Sequence, residues 1–142
     1  MIKRKEIVVI DYGMGNLFSI KSACKNVGLN GYLSYQENEI MKSDAIILPG
    51  VGSFYEAMGT GRPVLVFSYN KLMDNMNIKI KNLLNNFIEE KIIFNNTSDL
   101  SSHIQNIWEN PEEWWSSKNI LDLRREFQTL CQKNEDEKFE NS

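Results

Sequence analysis

Histidine is almost absent from this chain: His103 is one residue in 142. Chemistry that calls for a pair of imidazoles is excluded by that count. Cysteine is nearly as scarce. Cys24 and Cys131 lie far apart, and with no signal peptide ahead of them they read as reduced, buried thiols of a cytoplasmic protein. Long apolar runs are missing too. Ile7-Val8-Val9-Ile10 stops at Asp11, short of the roughly 7–15 residues of a secretory core or the roughly 20 of a membrane span. Nor is there an excess of one charge. The net charge is −3, and the only basic cluster is Lys3-Arg4-Lys5, which argues against a general nucleic-acid or membrane-surface binder. With 42% hydrophobic and 25% charged residues, what remains is the composition of a single globular domain.

The apolar pattern is that of alternating strands and helices. Residues 6–10 read as a buried parallel strand closed by Asp11 and Gly13. Leu17, Ile20, Cys24 and Val27 share a helical face that Gly28 ends. Further strands are expected at Tyr32–Tyr35, Ala45–Leu48, Pro63–Phe67 and Ile92–Phe94. After Phe67 the chain turns mostly helical. Met73, Met76, Ile80, Leu83 or Leu84, and Phe87 fall on one face of residues 71–90. Asn96-Thr97-Ser98-Asp99 is a cap signal for a helix carrying Leu100, Ile104, Ile107 and Trp108. Pro111 opens a turn with Trp114-Trp115, a last helix aligns Ile120, Leu123, Phe127 and Leu130, and residues 134–142 form a charged, frayed end.

Two motifs in the first half carry a resemblance. Ile10-Asp11-Tyr12-Gly13-Met14-Gly15-Asn16-Leu17 and Ile47-Leu48-Pro49-Gly50-Val51-Gly52-Ser53-Phe54 resemble the glutaminase subunit of imidazole glycerol phosphate synthase, a class I glutamine amidotransferase, over residues 6–58. Gly13 and Gly15 permit a tight strand-to-helix turn. Phe18 stands where a dinucleotide fingerprint has its third glycine, so that reading fails. The Pro49–Gly52 loop follows a strand end. Its glycines either present backbone N–H groups to a developing oxyanion or simply make two turns. The resemblance implies an oxyanion loop at Gly50, Val51 and Gly52. It implies a partner-facing loop at Tyr12, Gly13, Met14, Gly15 and Asn16, with the cyclase subunit of the synthase as the partner. The pathway implied is histidine biosynthesis, or ammonia supply for surface sugars.

The chemistry of that family needs a cysteine nucleophile, a histidine base and an orienting carboxylate. The nucleophile sits on a strained elbow flanked by small residues. Gly61-Arg62-Pro63-Val64-Leu65 matches the strand leading to that elbow, but Ser68 occupies the cysteine position, and Val66 and Asn70 replace its glycines. Val66 adds a β-branch where crowding is worst. The stretch from Met58 to Gly61 leaves no room for the helix the family places there. His103 lies in Ser101-Ser102-His103-Ile104, one residue from an apolar stripe, which reads as a surface or boundary position. Cys24 on the first helix and Cys131 at the end of the last stripe read as buried.

From residue 61 a second resemblance takes over. Arg62 to Asn70, Ile92-Ile93-Phe94, Ile107-Trp108-Glu109-Asn110-Pro111-Glu112-Glu113-Trp114-Trp115 and Arg125-Glu126-Phe127 are similar to the C-terminal end of a transferase family of bacterial surface-carbohydrate loci. Lys71-Leu72-Met73-Asp74 departs from that pattern, which implies a truncated nucleotide-sugar pocket. Trp114-Trp115 reads as packing for a terminal helix, and Glu112 and Glu113 as solvated helix-start charges.

The expected fold is α/β: a partial parallel sheet with flanking helices, truncated against a class I glutaminase, and a mostly helical C-terminal part. Residues 1–58 form the amidotransferase-like segment and 59–142 the truncated transferase-like segment, packed as one unit with a marginal core. No metal or cofactor is expected. Three functions compete: a hybrid without glutaminase activity, a divergent glutaminase working through Ser68, and a non-catalytic protein docking on a cyclase through Tyr12–Asn16. A remnant of a surface-polysaccharide glycosyltransferase is the related alternative.

Overall fold

Strands that are apolar at every position need cover on both faces, and the chain provides it with helices on either side of one sheet. A computed structural model describes residues 6–10, 17–68 and 78–140, with side chains described as far as residue 133. The elements run β1 (Ile7–Ile10), α1 (Leu17–Asn26), β2 (Tyr32–Ser34), α2 (Glu37–Lys42), β3 (Ala45–Leu48), α3 (Phe54–Met58), β4 (Val64–Phe67), α4 (Ile78–Glu89), β5 (Ile93–Phe94), α5 (Thr97–Ile107), α6 (Pro111–Trp115) and α7 (Lys118–Glu140).

All strand pairs are parallel, in the order β2-β1-β3-β4-β5. The chain steps outward from β1 to β2, then reverses to β3. Right-handed crossovers therefore put α1 on one face and the crossover helices α2, α3 and α4 on the other. Side chains divide accordingly with period two. Val8, Ile10, Ile46, Leu48, Val64 and Val66 face α3, α4 and α7. Ile7, Val9, Ala45, Ile47, Leu65 and Phe67 face α1 and α5. On the first face Phe54, Phe87 and Phe127, from three different helices, meet with centroids 5.0–5.7 Å apart. On the second, the Ser101 hydroxyl donates to the Ala23 carbonyl at 2.9 Å, tying α5 to α1.

The local signals hold where they were strong. Gly28 takes φ +80° after α1, where a left-handed residue closes a helix with little strain only as glycine. Asn96 caps α5 by accepting from the Asp99 N–H at 2.8 Å. Asn110 caps α6 by accepting from Glu113 at 3.2 Å, with Pro111 in the first turn. The expected turn at Trp114-Trp115 is thus a short helix. Trp115 is buried beneath α7, whose Arg124 guanidinium lies 4.4 Å from the ring centroid, so the packing role holds. Glu112 and Glu113 are exposed in the first turn of α6.

Helices α2 and α3 were not expected from the sequence. Each has too few residues for a period of 3.6 to show, and α2 contributes only Ile40 to the core. The expected helix over 71–90 is described from Ile78; Met73 and Met76 lie outside the described residues. Each sheet face is covered by its own cluster of buried side chains.

Phe87 is fully buried at the meeting point of α3, α4 and α7. Phe87→Ala is expected to lower unfolding stability by about 3–5 kcal/mol, read from urea denaturation with the slope unchanged.

Candidate functional site

Open parallel sheets gather ligands at the carboxyl ends of strands on either side of the point where strand order reverses. Here that point lies between β1 and β3, and the two motif loops follow those two strands. The first, with Tyr12, Gly13, Met14, Gly15 and Asn16, lies outside the described residues. The second leaves β3 at Pro49. The Val51 carbonyl accepts from the Phe54 N–H at 3.1 Å and turns the loop into α3. Gly50 and Gly52 do not occupy the left-handed region, and a Cβ built on either meets open space. Neither glycine is required by a left-handed turn or by side-chain packing; Gly50 is half-buried and Gly52 exposed.

Ser68 follows β4, the neighbour of β3. Leu48 pairs with Val66, and Gly50 and Ser68 each follow that pair by two residues, beyond the ends of β3 and β4. The loop that the resemblance gives an oxyanion role and the residue at its nucleophile position thus both follow the carboxyl ends of neighbouring strands. Ser68 is buried, and its backbone N–H donates to the Phe94 carbonyl at 2.8 Å, which continues the ladder where an elbow would break away from it.

The remaining candidates lie elsewhere. Cys24 is fully buried on α1, as expected, and burial pushes its thiol up to about 11. Cys131, expected to be buried, is half-buried. It sits in the second half of the long α7 and lines a cleft of about 250 Å³ with Val51, Gly52, Tyr55 and Glu56. Its spacing of four from Phe127 placed it on the core stripe, but not at the stripe's open end. His103, read as a surface or boundary residue, is 6% exposed. Its ring packs between Phe94 and Trp114, with centroids 5.4 and 4.8 Å away, and its buried Nε2 has no hydrogen-bond partner. It borders a groove of about 320 Å³ along the outer edge of β5, with Lys91, Asn95, Asp99 and Asn106. Cys131 and His103 thus sit on helices that cover opposite faces of the sheet. Among the described residues no group of three or more His, Cys, Asp or Glu side chains is placed to hold a metal ion. No described helix is long and apolar enough to cross a membrane.

A family model for the LIC12162 family transferase matches residues 51–139. The chain belongs to the LIC12162 transferase family. The family match begins in the loop after β3 and so takes in α3. A separate similarity links part of the chain to the imidazole glycerol phosphate synthase subunit HisH. The chain is 52% identical over 54 residues to that of Methanosarcina acetivorans, covering 38% of this chain and 27% of the relative. It is 58% identical over 52 residues to that of Bacillus velezensis, covering 37% and 24%, and 54% over 52 residues to that of Bacillus subtilis, again 37% and 24%. The chain spans about a quarter of the length of these curated relatives. No solved structure matches. This LIC12162 family member is thus also a partial relative of a glutamine amidotransferase subunit.

His103 gives the fold a pH dependence of definite sign. Burial, and secondarily the Lys91 ammonium, pushes its pKa down to about 4, against about 6.5 for an unfolded histidine. The folded state favours the neutral ring. Its contribution is complete above about pH 6.5 and is lost as pH falls toward 4. Since Nε2 has no partner to lose, His103→Phe is expected to narrow the fall in Tm between pH 7 and pH 4.5. An unchanged fall in thermal scans of the two proteins would refute this.

Proposed function

We propose that the chain is a hybrid, an amidotransferase-like segment of residues 1–58 continued by a truncated transferase-like segment of residues 59–142, and that it has no glutaminase activity. The observation that carries this reading is the separation of the reactive groups. The nucleophile position of the resembled family holds a buried serine, and the one imidazole is wedged between Phe94 and Trp114. A hydroxyl attacks an amide only when a base takes its proton. Loss of a nucleophile or base alone lowers a serine protease's kcat about a million-fold. The transferase end fares no better in this reading, because the departure from the family pattern after Asn70 removes the phosphate-holding part of a nucleotide-sugar pocket. Such a chain is a by-product of recombination within a surface-sugar gene cluster, retained in the cytoplasm.

Purified protein incubated with glutamine is expected to release no ammonia above buffer, and Ser68→Ala to change nothing. Glutamine-dependent release that Ser68→Ala abolishes would restore the divergent-glutaminase reading.

The identity of more than half over some fifty residues with proteins named as synthase subunits favours one second reading, a non-catalytic protein that docks on a cyclase subunit through Tyr12–Asn16. Co-purification with that cyclase at low salt, weakened by Asn16→Ala, is the outcome this reading requires. Absence of binding at low salt removes it.

A further inference from the structure

The groove beside His103 lies within the residues that match the transferase family, and the functions proposed above give it no role. It holds about 320 Å³, the lower end of the roughly 300–1,000 Å³ of small-molecule sites, which suits an occupant of about one ring. Helix α5 builds one wall by spacing. Leu100, Ile104 and Ile107 face the sheet, while Asp99, Ser102, His103 and Asn106, at intervals of three and four, form a second stripe along the groove. Ile88 and Glu89 from the end of α4, and Lys91 from the turn before β5, complete it. The free edge of β5 runs through it. The Ile92 and Phe94 carbonyls accept from the Val66 and Ser68 N–H groups at 2.8 Å, so the peptide groups of Ile93 between them point the other way, toward the groove.

Two local rules are broken here. Lys91 has φ +63°, the one non-glycine in the left-handed region among the described residues. Its N–H donates to the Ile88 carbonyl at 3.1 Å, and the Ile92 N–H donates to the Phe87 carbonyl at 2.9 Å. Those paired bonds close a helix at a position where glycine is the unstrained residue. Lysine runs against that preference, and such strain collects at ligand sites. His103 is the second departure. It is 6% exposed and its buried Nε2 has no partner, where buried polar atoms are ordinarily hydrogen-bonded. The Lys91 ammonium is close enough to act on the imidazole, so both departures belong to one place.

The lining selects the chemistry of the occupant. Glu89 and Asp99 bring negative charge and Lys91 positive charge, so a charged ligand gains one contact and is opposed by another. Asn95, Ser102, Asn106 and the Ile93 peptide offer donors and acceptors without charge. A hydroxyl both donates and accepts, so it pairs with any of these groups, ionised or neutral. Ile88 and Phe94 supply apolar surface for carbon. We propose that the groove along β5 binds a neutral polyhydroxylated ring of monosaccharide size, held by Lys91, Asn95 and Asn106.

Proton–nitrogen correlation spectra of the full chain, titrated separately with D-glucose, D-galactose, N-acetyl-D-glucosamine and myo-inositol, test this. At least one probe is expected to shift the side-chain amide signals of Asn95 and Asn106 saturably, with a dissociation constant of roughly a millimolar. Binding of the inositol or of a sugar tells a cyclitol from a saccharide. Lys91→Gly is expected to raise Tm by relieving the left-handed lysine and to weaken binding at least about tenfold. Asn106→Ala, exposed on α5, is expected to weaken binding with unchanged circular dichroism. A spectrum that none of these probes shifts overturns the inference. So does binding that both substitutions leave intact, since the site is then elsewhere, and so does tighter binding of acetate or phosphate at the same signals. A Lys91→Gly chain less stable than the wild type also overturns it, because the lysine then serves packing.

Discussion

The pairing of β3 with β4 is the contact on which everything else rests. Ile46, Ile47 and Leu48 lie against Val64, Leu65 and Val66, and through them strands from the amidotransferase-like end join strands from the transferase-like end. All six side chains are buried, alternately on either face, so a slip of one residue would expose the apolar set of the shifted strand. Both segments bring β-branched strands that read the same way, and a parallel ladder constrains strand pattern more than it constrains ancestry. That is the physical reason two partial family similarities are compatible with one sheet.

The same sheet explains why proximity of motif positions does not become chemistry. Adjacent strands β3 and β4 lead into the segments that carry Gly50 and Ser68. The base has to reach the same rim, and in this chain the one histidine is carried by α5, on the opposite face from the Cys131 cleft. His103 there fills a space between Phe94 and Trp114, where its desolvation favours the neutral ring and leaves Nε2 sealed. Cys131 reaches the Val51–Gly52 cleft, yet no imidazole accompanies it. Burial raises the other thiol, Cys24, well beyond the range of a nucleophile.

Helix ends and sheet edges show how much of the molecule is managed by short polar devices. Asn96 and Asn110 cap α5 and α6 with the same side-chain acceptor geometry, and these two helices place His103, Trp114 and Trp115. Glu39 performs a related service at β2, accepting from the Ser34 hydroxyl at the strand's end. The contrast with β5 indicates that the edges are not equivalent. One is short and bordered by charge, while the other is aromatic and next to a cleft lined by Glu6, Glu39 and Lys42.

Local pattern by itself determined the strands, the long helices and their caps. Uninterrupted runs such as Val64–Phe67 can only be buried, and an Asn-x-x-Asp signal acts within one turn. It also determined that a thiol–imidazole pair of the expected kind had no residues in the expected places, because composition alone supplies one histidine. What it could not determine was which face each helix covers, since that depends on strand order, and strand order is set by pairings between residues far apart in the chain. His103, one residue from an apolar stripe, looked like a boundary position until α5 packed it against Phe94. Cys131 looked like core until α7 ended its stripe at an open cleft. Burial of a helical residue is decided by what stands opposite it, and only the tertiary structure supplies that.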